Sequence, residues 1–203
     1  MIYMADSDEY HVWRDMAVRM KDTLPYTSTA PVEFLKTHTG LTCGSLLDAG
    51  CSLGLFDQLW IDAGFDVTGI DQIVEAIAIA KTKVPRARYH VFNLTKHFFD
   101  MGERFDVVFT NTVLQHIRNE WKEMALTNIL RHLKPAGIYF ISEKTFDEKS
   151  WTLEHPFGPS YSENATDNYS FTESGWITLL KQYHMSFLVR APAMDWYLFK
   201  KEN

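Results

Sequence analysis

Two acidic residues, each at the end of a short apolar run, are the most informative chemical feature of the chain. Asp48 ends one run and is followed by the small-residue loop 49–54, and Asp71 ends a second run, residues 67–70. In open α/β sheets such a loop lets backbone approach a ligand closely, and the second acid accepts hydrogen bonds from ribose hydroxyls. The pattern therefore predicts a site for a cofactor that contains a nucleoside.

The glycine positions of the loop distinguish between cofactors. A dinucleotide site favours G-x-G-x-x-G at the start of a helix, where backbone amides meet a pyrophosphate. Here Ser52 stands at the second glycine position and Leu55 at the third. The loop is therefore a poor match to a dinucleotide site.

Later segments continue the pattern of strand, loop and helix. Residues 105–111 read FDVVFTN and run on into VLQHI. Residues 133–137 read LKPAG, which predicts a turn between the end of a helix and another apolar run. Because ligands in open α/β sheets bind beyond the carboxyl ends of the strands, the residues that follow each strand are the candidate cofactor contacts. These candidates are Asp48, Gly50, Cys51, Ser52, Gly54, Asp71, Gln72, Ile73, Asn93, Leu94, Thr110 and Asn111.

The motifs DAGCSLG, GID, FDVVFTNTVLQHI and LKPAG occur together, and over residues 45–142 the chain resembles the class I S-adenosylmethionine-dependent methyltransferases. The resemblance implies a doubly wound α/β fold of the Rossmann-like methyltransferase type, with a mostly parallel seven-stranded sheet whose last strand is antiparallel. It also implies S-adenosylmethionine as the cofactor. One departure is Ser52, because the family usually has glycine at this position.

The resemblance gives the cofactor contacts individual roles. Asp71 is expected to accept hydrogen bonds from both ribose hydroxyls. Gly50 and Gly54 let the loop pass close to the methionine portion, and Asp48 steadies the loop or binds the amino group through water.

Three further candidates are expected near the adenine. Gln72 and Ile73 would flank the ring. The side-chain carbonyl of Asn93 would accept a hydrogen bond from the adenine amino group, and the alternative is an asparagine that forms a turn.

Three residues are candidates for a general base, which methyl transfer needs only when the nucleophile keeps its proton. His116 follows the fourth predicted strand, and a histidine titrates near neutral pH; the alternative is packing or hydrogen bonding at the start of the next helix. Glu143 either removes the proton or holds the following loop by a hydrogen bond, and His155 either removes it or belongs to a turn. The other histidines, His132 among them, are expected at the surface or half-buried.

Periodicity predicts one domain, residues 1–203, with four parts. Residues 1–40 hold two helices, over 10–25 and 31–38. The resemblance implies that these helices form a lid over the cofactor, and the alternative is that they cover a sheet face. Residues 41–142 form the cofactor-binding core, and residues 171–203 form a helix and a strand pair. Residues 143–170 form an irregular substrate loop, whose aromatic side chains wall a pocket. These pocket residues are Trp151, His155, Phe157, Tyr161 and Tyr169.

The core and the C-terminal part are predicted element by element. Helices are expected over residues 55–63, 73–83 and 172–183, and strands over 89–94, 105–110, 137–142, 186–190 and 196–200.

Composition limits the function classes. The formal net charge of −6 argues against general nucleic-acid binding, which depends on clustered lysine and arginine. No apolar run approaches the roughly 20 residues of a membrane span, and no signal peptide is visible. Cys43 and Cys51 are expected to be reduced thiols without a metal, which predicts a cytoplasmic location.

We therefore expect a cytoplasmic methyltransferase that acts on an oxygen or nitrogen nucleophile of a small molecule. One alternative is a protein or RNA acceptor, and another is a non-catalytic subunit that binds S-adenosylmethionine for a partner. A dehydrogenase is disfavoured by Ser52 and Leu55.

Overall fold

The computed structural model describes residues 8–96, 100–143, 160–161, 168–169, 173–191 and 194–203. The helices are α1 (Asp8–Arg19), α2 (Ala30–Thr39), α3 (Asp57–Asp62), α4 (Val74–Lys83), α5 (Asn119–Leu130) and α6 (Glu173–Lys181), with a 3-10 helix at Leu114–His116. The strands are β1 (Gly44–Ala49), β2 (Phe65–Asp71), β3 (Arg88–Val91), β4 (Phe105–Asn111), β5 (Leu133–Ser142), β6 (Ser160–Tyr161), β7 (Asn168–Tyr169), β8 (Met185–Ala191) and β9 (Trp196–Lys201).

Seven strands form one mixed sheet in the order β3-β2-β1-β4-β5-β9-β8. The pairs β1–β2, β2–β3 and β4–β5 are parallel, and the last strand, β9, is antiparallel to both of its neighbours. The predicted α/β architecture, with a mostly parallel sheet and an antiparallel last strand, is confirmed.

The region expected to be an irregular loop contains a second, two-stranded sheet. Within residues 143–170, β6 pairs with β7 in antiparallel register. Each of these short strands carries a tyrosine, a residue type with a preference for extended structure. Trp151, His155 and Phe157 lie outside the described residues.

The chain divides into two compact units, Met1–Asn93 and Leu94–Asn203. In the first unit, β1 and β2 are in register so that Asp48 lies opposite Gly69 and Ala49 opposite Ile70. The acid of β1 and the acid that ends β2 therefore lie at the same edge of this parallel pair.

The N-terminal helices differ in how well their ends were predicted. Helix α2 stops where expected, because Gly40 adopts φ +74° and donates its N–H to the carbonyl of Lys36 at 2.9 Å. Helix α1 ends at Arg19 rather than near residue 25, since Lys21-Asp22-Thr23 includes residue types that favour turns over helix.

Helix α1 packs against α4 and against the loop after β1. Tyr10 and Ala17 of α1 form one buried apolar cluster with Leu53, Ile73 and Ala76. The Tyr10 hydroxyl also donates to Glu75 Oε2 at 3.2 Å.

The core of the second unit lies along β4 and β5, where Val107 pairs with Ile138 and Phe109 with Phe140. Strand β5 begins at Leu133, ahead of the predicted residue 137, and the expected turn appears inside it as a positive φ of 57° at Ala136.

His132 is fully buried, which corrects the expectation of a surface or half-buried residue. Its Nδ1 lies 2.6 Å from the Asn128 carbonyl oxygen, and its Nε2 accepts the Met101 N–H at 3.0 Å. Both ring nitrogens have a backbone partner, and this satisfies the polar atoms of a buried ring.

Within the described ranges, no helix has the length and apolar character needed to cross a bilayer.

Candidate functional site

The loop after β1 is tied to the end of β2 by backbone hydrogen bonds. The N–H groups of Gly50 and Cys51 both donate to the carbonyl of Ile70, at 2.7 and 2.9 Å. The Gly54 N–H donates to the Cys51 carbonyl at 2.9 Å, which closes the loop as a tight turn. These bonds fix the path of the backbone that the sequence predicts to approach a cofactor.

Ser52 occupies a backbone conformation that favours glycine. Its φ is +48°, in the left-handed region, where the Cβ of an L-residue costs roughly 1–2 kcal/mol. The residue is exposed, and its N–H donates to Asp71 Oδ2 at 3.0 Å. This geometry gives a physical reason for the family's preference for glycine at this position.

The Asp71 carboxylate is held by the backbone on both sides. Oδ2 accepts the Ser52 N–H, and Oδ1 accepts the Ile73 N–H at 2.9 Å. Burial raises the pKa of Asp71, and these backbone N–H groups favour the ionised form. Because an ionised carboxylate has about four acceptor positions, the oriented oxygens keep capacity for ligand hydroxyls.

Asp48 points into a buried acid cluster that the sequence did not reveal. Asp48 is 3% exposed and Asp57 is 0% exposed; burial raises the pKa of both, and the Asp57 charge raises that of Asp48 further. The Tyr89 hydroxyl donates to Asp57 Oδ2 at 2.6 Å. Asp57 and Tyr89 were missed by the sequence analysis, although an acid within the predicted apolar helix 55–63 was an available signal.

Gly54 is required by this cluster as well as by the turn. A Cβ built at Gly54, whose φ is +69°, would lie 2.5 Å from Tyr89 Oη and 2.9 Å from Asp57 Oδ2. The glycine therefore lets the loop close directly over the hydrogen bond between Tyr89 and Asp57.

The residues expected near the adenine have defined partners. Asn93 Nδ2 donates to Gln72 Oε1 at 2.9 Å. The carbonyl oxygen that is expected to accept a hydrogen bond from the adenine is the other polar atom of the same amide. The Ile73 side chain is buried in the cluster with α1. In the second unit, the Leu94 carbonyl accepts a hydrogen bond from Asn128 Nδ2 at 2.8 Å.

Thr110 and Asn111, at the end of β4, contact residues of β5. The Thr110 hydroxyl lies 3.1 Å from the Tyr139 hydroxyl and is buried. Asn111 Oδ1 accepts the Ser142 hydroxyl at 2.8 Å. Both contacts join the ends of the two strands.

Glu143 binds the backbone of the segment that leads to His116. Its Oε1 accepts the N–H groups of Val113 and Leu114 at 2.7 and 3.0 Å, and its Oε2 accepts that of Gln115 at 3.2 Å. Glu143 is 1% exposed, and burial raises its pKa to about 7. The structure thus gives Glu143 a hydrogen-bonding role, but the backbone that it binds is the turn at residues 113–115 rather than the loop that follows residue 143.

Lys122, on α5, supplies the charge opposite Glu143. It is 0% exposed; burial lowers its pKa to about 7, and the Glu143 charge acts in the opposite direction. Because a charge is costly in the interior, the Glu143 charge favours the ionised form of Lys122, and the Lys122 charge favours the ionised form of Glu143.

His116 is half-buried and contacts its neighbour Gln115. Its Nε2 lies 3.1 Å from Gln115 Nε2, and because an amide nitrogen only donates, the imidazole nitrogen is the acceptor. Burial first, and then the Lys122 charge, lower the pKa of His116 to about 4. The ring is therefore neutral near pH 7, and the nitrogen that would accept a proton already accepts the Gln115 amide.

Comparisons with known proteins show similarity to methyltransferases. Residues 47–141 match the family model described as "Methyltransferase domain". The chain is 28% identical to a ubiquinone biosynthesis O-methyltransferase of Rickettsia conorii over 144 residues, covering 70% of this chain and 48% of the relative. The chain spans about half the length of the curated relatives it matches.

Solved structures share the fold. A structure described as "DhpI-SAM-HEP complex" superposes with a TM-score of 0.71 at 17% identity, over 94% of each chain. The 1,6-didemethyltoxoflavin-N1-methyltransferase of Burkholderia thailandensis is 25% identical, with a TM-score of 0.62, over 96% of this chain and 84% of the other. Residues 47–141 thus resemble a methyltransferase domain, and the chain shares the fold of solved methyltransferase structures.

Proposed function

We propose that this protein uses S-adenosylmethionine to methylate an oxygen or nitrogen atom of a small molecule. The observation that carries the proposal is the loop 50–54, fixed between the Ile70 carbonyl and the Asp71 carboxylate. The predictions of a single domain and of a cytoplasmic location are part of this proposal.

The residues of the first unit fit the cofactor. Asp71 would bind the ribose hydroxyls, because both of its oxygens are oriented by backbone N–H groups. Gly50 and Gly54 would leave room for the methionine portion, and Asn93 and Gln72 would lie beside the adenine. When bound, S-adenosylmethionine supplies a methyl group activated by a positively charged sulfur.

The acceptor side of the proposal rests on the second unit. Strand β7, which carries Tyr169, lies against the 3-10 helix that carries His116. This contact between the two segments supports an acceptor pocket near His116. Glu143 would act as a positioning residue, because it holds the backbone of that helix through three N–H groups.

His116 would serve as a base only after a local rearrangement. Its Nε2 accepts the Gln115 amide, so that amide has to turn away before an acceptor O–H or N–H takes its place. The low pKa of the ring, about 4, keeps it in the neutral form that a base needs. Alignment of the acceptor alone would suffice for a nucleophile that is already unprotonated.

A small-molecule acceptor is supported by the relatives and by charge. The names of the matched proteins include an O-methyltransferase of ubiquinone biosynthesis and an N1-methyltransferase of 1,6-didemethyltoxoflavin. The net charge of −6 disfavours a general nucleic-acid acceptor.

The test is a screen with S-adenosylmethionine that carries a deuterated methyl group. A library of phenols, amines and amino sugars is incubated with the protein, and S-adenosylhomocysteine release is measured together with the mass shift of each product. We expect a labelled small molecule. Label found only on protein or RNA would show that the acceptor is a macromolecule instead of a small molecule. Cofactor binding without transfer to any acceptor would indicate a non-catalytic binding subunit.

A further inference from the structure

Apolar side chains are exposed together where helix α1 ends and the chain turns back. Among the described residues, four of the eight exposed large apolar side chains fall within residues 18–26: Val18, Met20, Leu24 and Tyr26. Leu24 is the most exposed of them, at 81%. Exposed apolar side chains are ordinary when they are scattered, but a concentrated group marks a surface that binds a partner.

Contacts on both sides of Leu24 hold the backbone in place. Lys83 Nζ of α4 donates to the Thr23 carbonyl at 2.7 Å. Beyond Leu24, the Tyr26 N–H donates to the Leu55 carbonyl at 2.7 Å. The exposure of Leu24 is therefore a property of an anchored segment rather than of a loose one. Residues 18–26 together with Lys83 are called the 18–26 surface below.

Cations lie among these apolar side chains. Arg19 and Lys21 belong to the same segment, and Lys83 reaches it through its contact with the backbone. Against these three cations, residues 18–26 contain one acid, Asp22. The whole chain has a formal net charge of −6, so the 18–26 surface is positive on a protein that is otherwise acidic.

The combination of charge and apolar exposure selects the partner. A second copy of the chain, bound symmetrically, would bring the three cations against their own counterparts, and like charges in an interface are unfavourable. A nucleic acid would bind the cations but would leave Leu24 in water. A bilayer with anionic lipids satisfies both features, because its headgroups attract lysine and arginine while the boundary with the acyl chains takes up apolar side chains.

We propose that the 18–26 surface docks on an anionic lipid bilayer, with its apolar side chains in the boundary between headgroups and acyl chains and its cations against the lipid phosphates. The long stems of lysine and arginine let their charges reach the headgroups while the apolar side chains lie deeper. Such docking is peripheral and needs no helix that spans the bilayer. It is independent of the proposed methyl transfer.

Vesicle binding tests this proposal with the whole chain. Cosedimentation is measured with vesicles of phosphatidylcholine that contain about one third phosphatidylglycerol, and with vesicles of phosphatidylcholine alone. We expect binding to the anionic vesicles to be at least about tenfold tighter than to the neutral ones at about 0.1 M salt. Most of this preference should be lost at about 1 M salt, because the charges are exposed and therefore screened.

Matched variants locate the surface. Lys21→Gln should weaken binding to anionic vesicles about fivefold, which is the contribution of one cation at such a surface, whereas Lys200→Gln, on β9, should change it by less than about twofold. Leu24→Ala should weaken binding about tenfold, whereas Leu188→Ala, on β8, should leave it unchanged. All four side chains are exposed, so none of these changes removes core packing.

Three results with vesicles would overturn the proposal: no binding to either kind, equal binding to both kinds, or equal losses in the test and control variants. Two further measurements check the other partners. A dimer in sedimentation velocity that Leu24→Ala dissociates would assign the 18–26 surface to a second copy instead. Tighter binding to a DNA oligonucleotide than to vesicles, weakened by Lys21→Gln and unchanged in Leu24→Ala, would assign it to nucleic acid.

Discussion

Removal of the Glu143 carboxylate should destabilise the protein strongly. Glu143 is 1% exposed and accepts the N–H groups of Val113, Leu114 and Gln115, and Lys122, its opposite charge, is 0% exposed. Glu143→Ala leaves these donors without their acceptor and removes the charge that favours the ionised form of Lys122. A buried donor left without its acceptor costs about 1–3 kcal/mol, so the loss of three such bonds should cost at least about 3 kcal/mol, a large share of the about 5–15 kcal/mol typical of a folded domain.

Two companion variants separate the hydrogen bonds from the charge. Glu143→Gln keeps an oxygen for two of the N–H groups, so its cost should be smaller, about 2 kcal/mol. Lys122→Met fills the same space without a charge, and the carboxylate keeps its backbone donors. In the double variant Glu143→Gln, Lys122→Met, the loss should be less than the sum of the single losses by about 0.5–3 kcal/mol.

Urea unfolding at pH 7 measures these free energies, and unchanged m-values would show that the variants alter stability rather than the compactness of the unfolded state. A loss below about 0.5 kcal/mol in Glu143→Ala would refute the reasoning, because such a value is typical of an exposed side chain. Additive losses in the double variant would refute the coupling between Glu143 and Lys122.

Two further predictions concern the loop and the base. Ser52→Gly should raise the free energy of unfolding by up to about 1 kcal/mol, since relief of the left-handed strain exceeds the added chain entropy, and should leave S-adenosylmethionine affinity equal or tighter; an affinity loss above about tenfold would indicate a needed hydroxyl contact. In the folded state the pKa of His116 is about 4, against 6.5 for an ordinary histidine. The neutral ring therefore contributes fully to stability above pH 6.5, and this contribution is lost as the pH falls toward 4. Urea unfolding of His116→Asn should show a weaker loss over that window, and an unchanged pH dependence would contradict the burial argument. With an identified acceptor, turnover of the same variant should fall roughly a hundredfold if His116 removes a proton, and near-normal turnover would exclude that role.

Sequence alone predicted the elements whose signals are local. Glycine at position 40 ends α2, and the apolar runs of β4 and β9 lie within one residue of their predicted ends. The start of β5 was misplaced, because a positive φ at Ala136 lets the strand contain the turn that the sequence predicts.

The candidate site combines local and long-range features. Asp71 follows a recognisable strand, but its contacts with Ser52 and Ile73 add a role in holding the loop. The hydrogen bond from Tyr89 to Asp57 joins residues 32 apart in sequence, so the acid visible in the predicted helix 55–63 gave no sign of its partner. The contacts of Glu143 with a turn about thirty residues earlier are long-range as well.

Titration of S-adenosylmethionine into the wild-type protein, Asp71→Ala and Asp66→Ala tests the cofactor site most directly. Asp66 lies near the opposite end of β2 and is exposed, so it controls for the loss of an acid from the same strand. We expect saturable binding to the wild-type protein and none of NADH. Each ribose hydrogen bond to the carboxylate contributes about 1.5–3 kcal/mol, so affinity should fall at least about tenfold in Asp71→Ala and stay unchanged in Asp66→Ala. Equal affinities for S-adenosylmethionine in all three proteins would contradict the assignment of Asp71 to the cofactor.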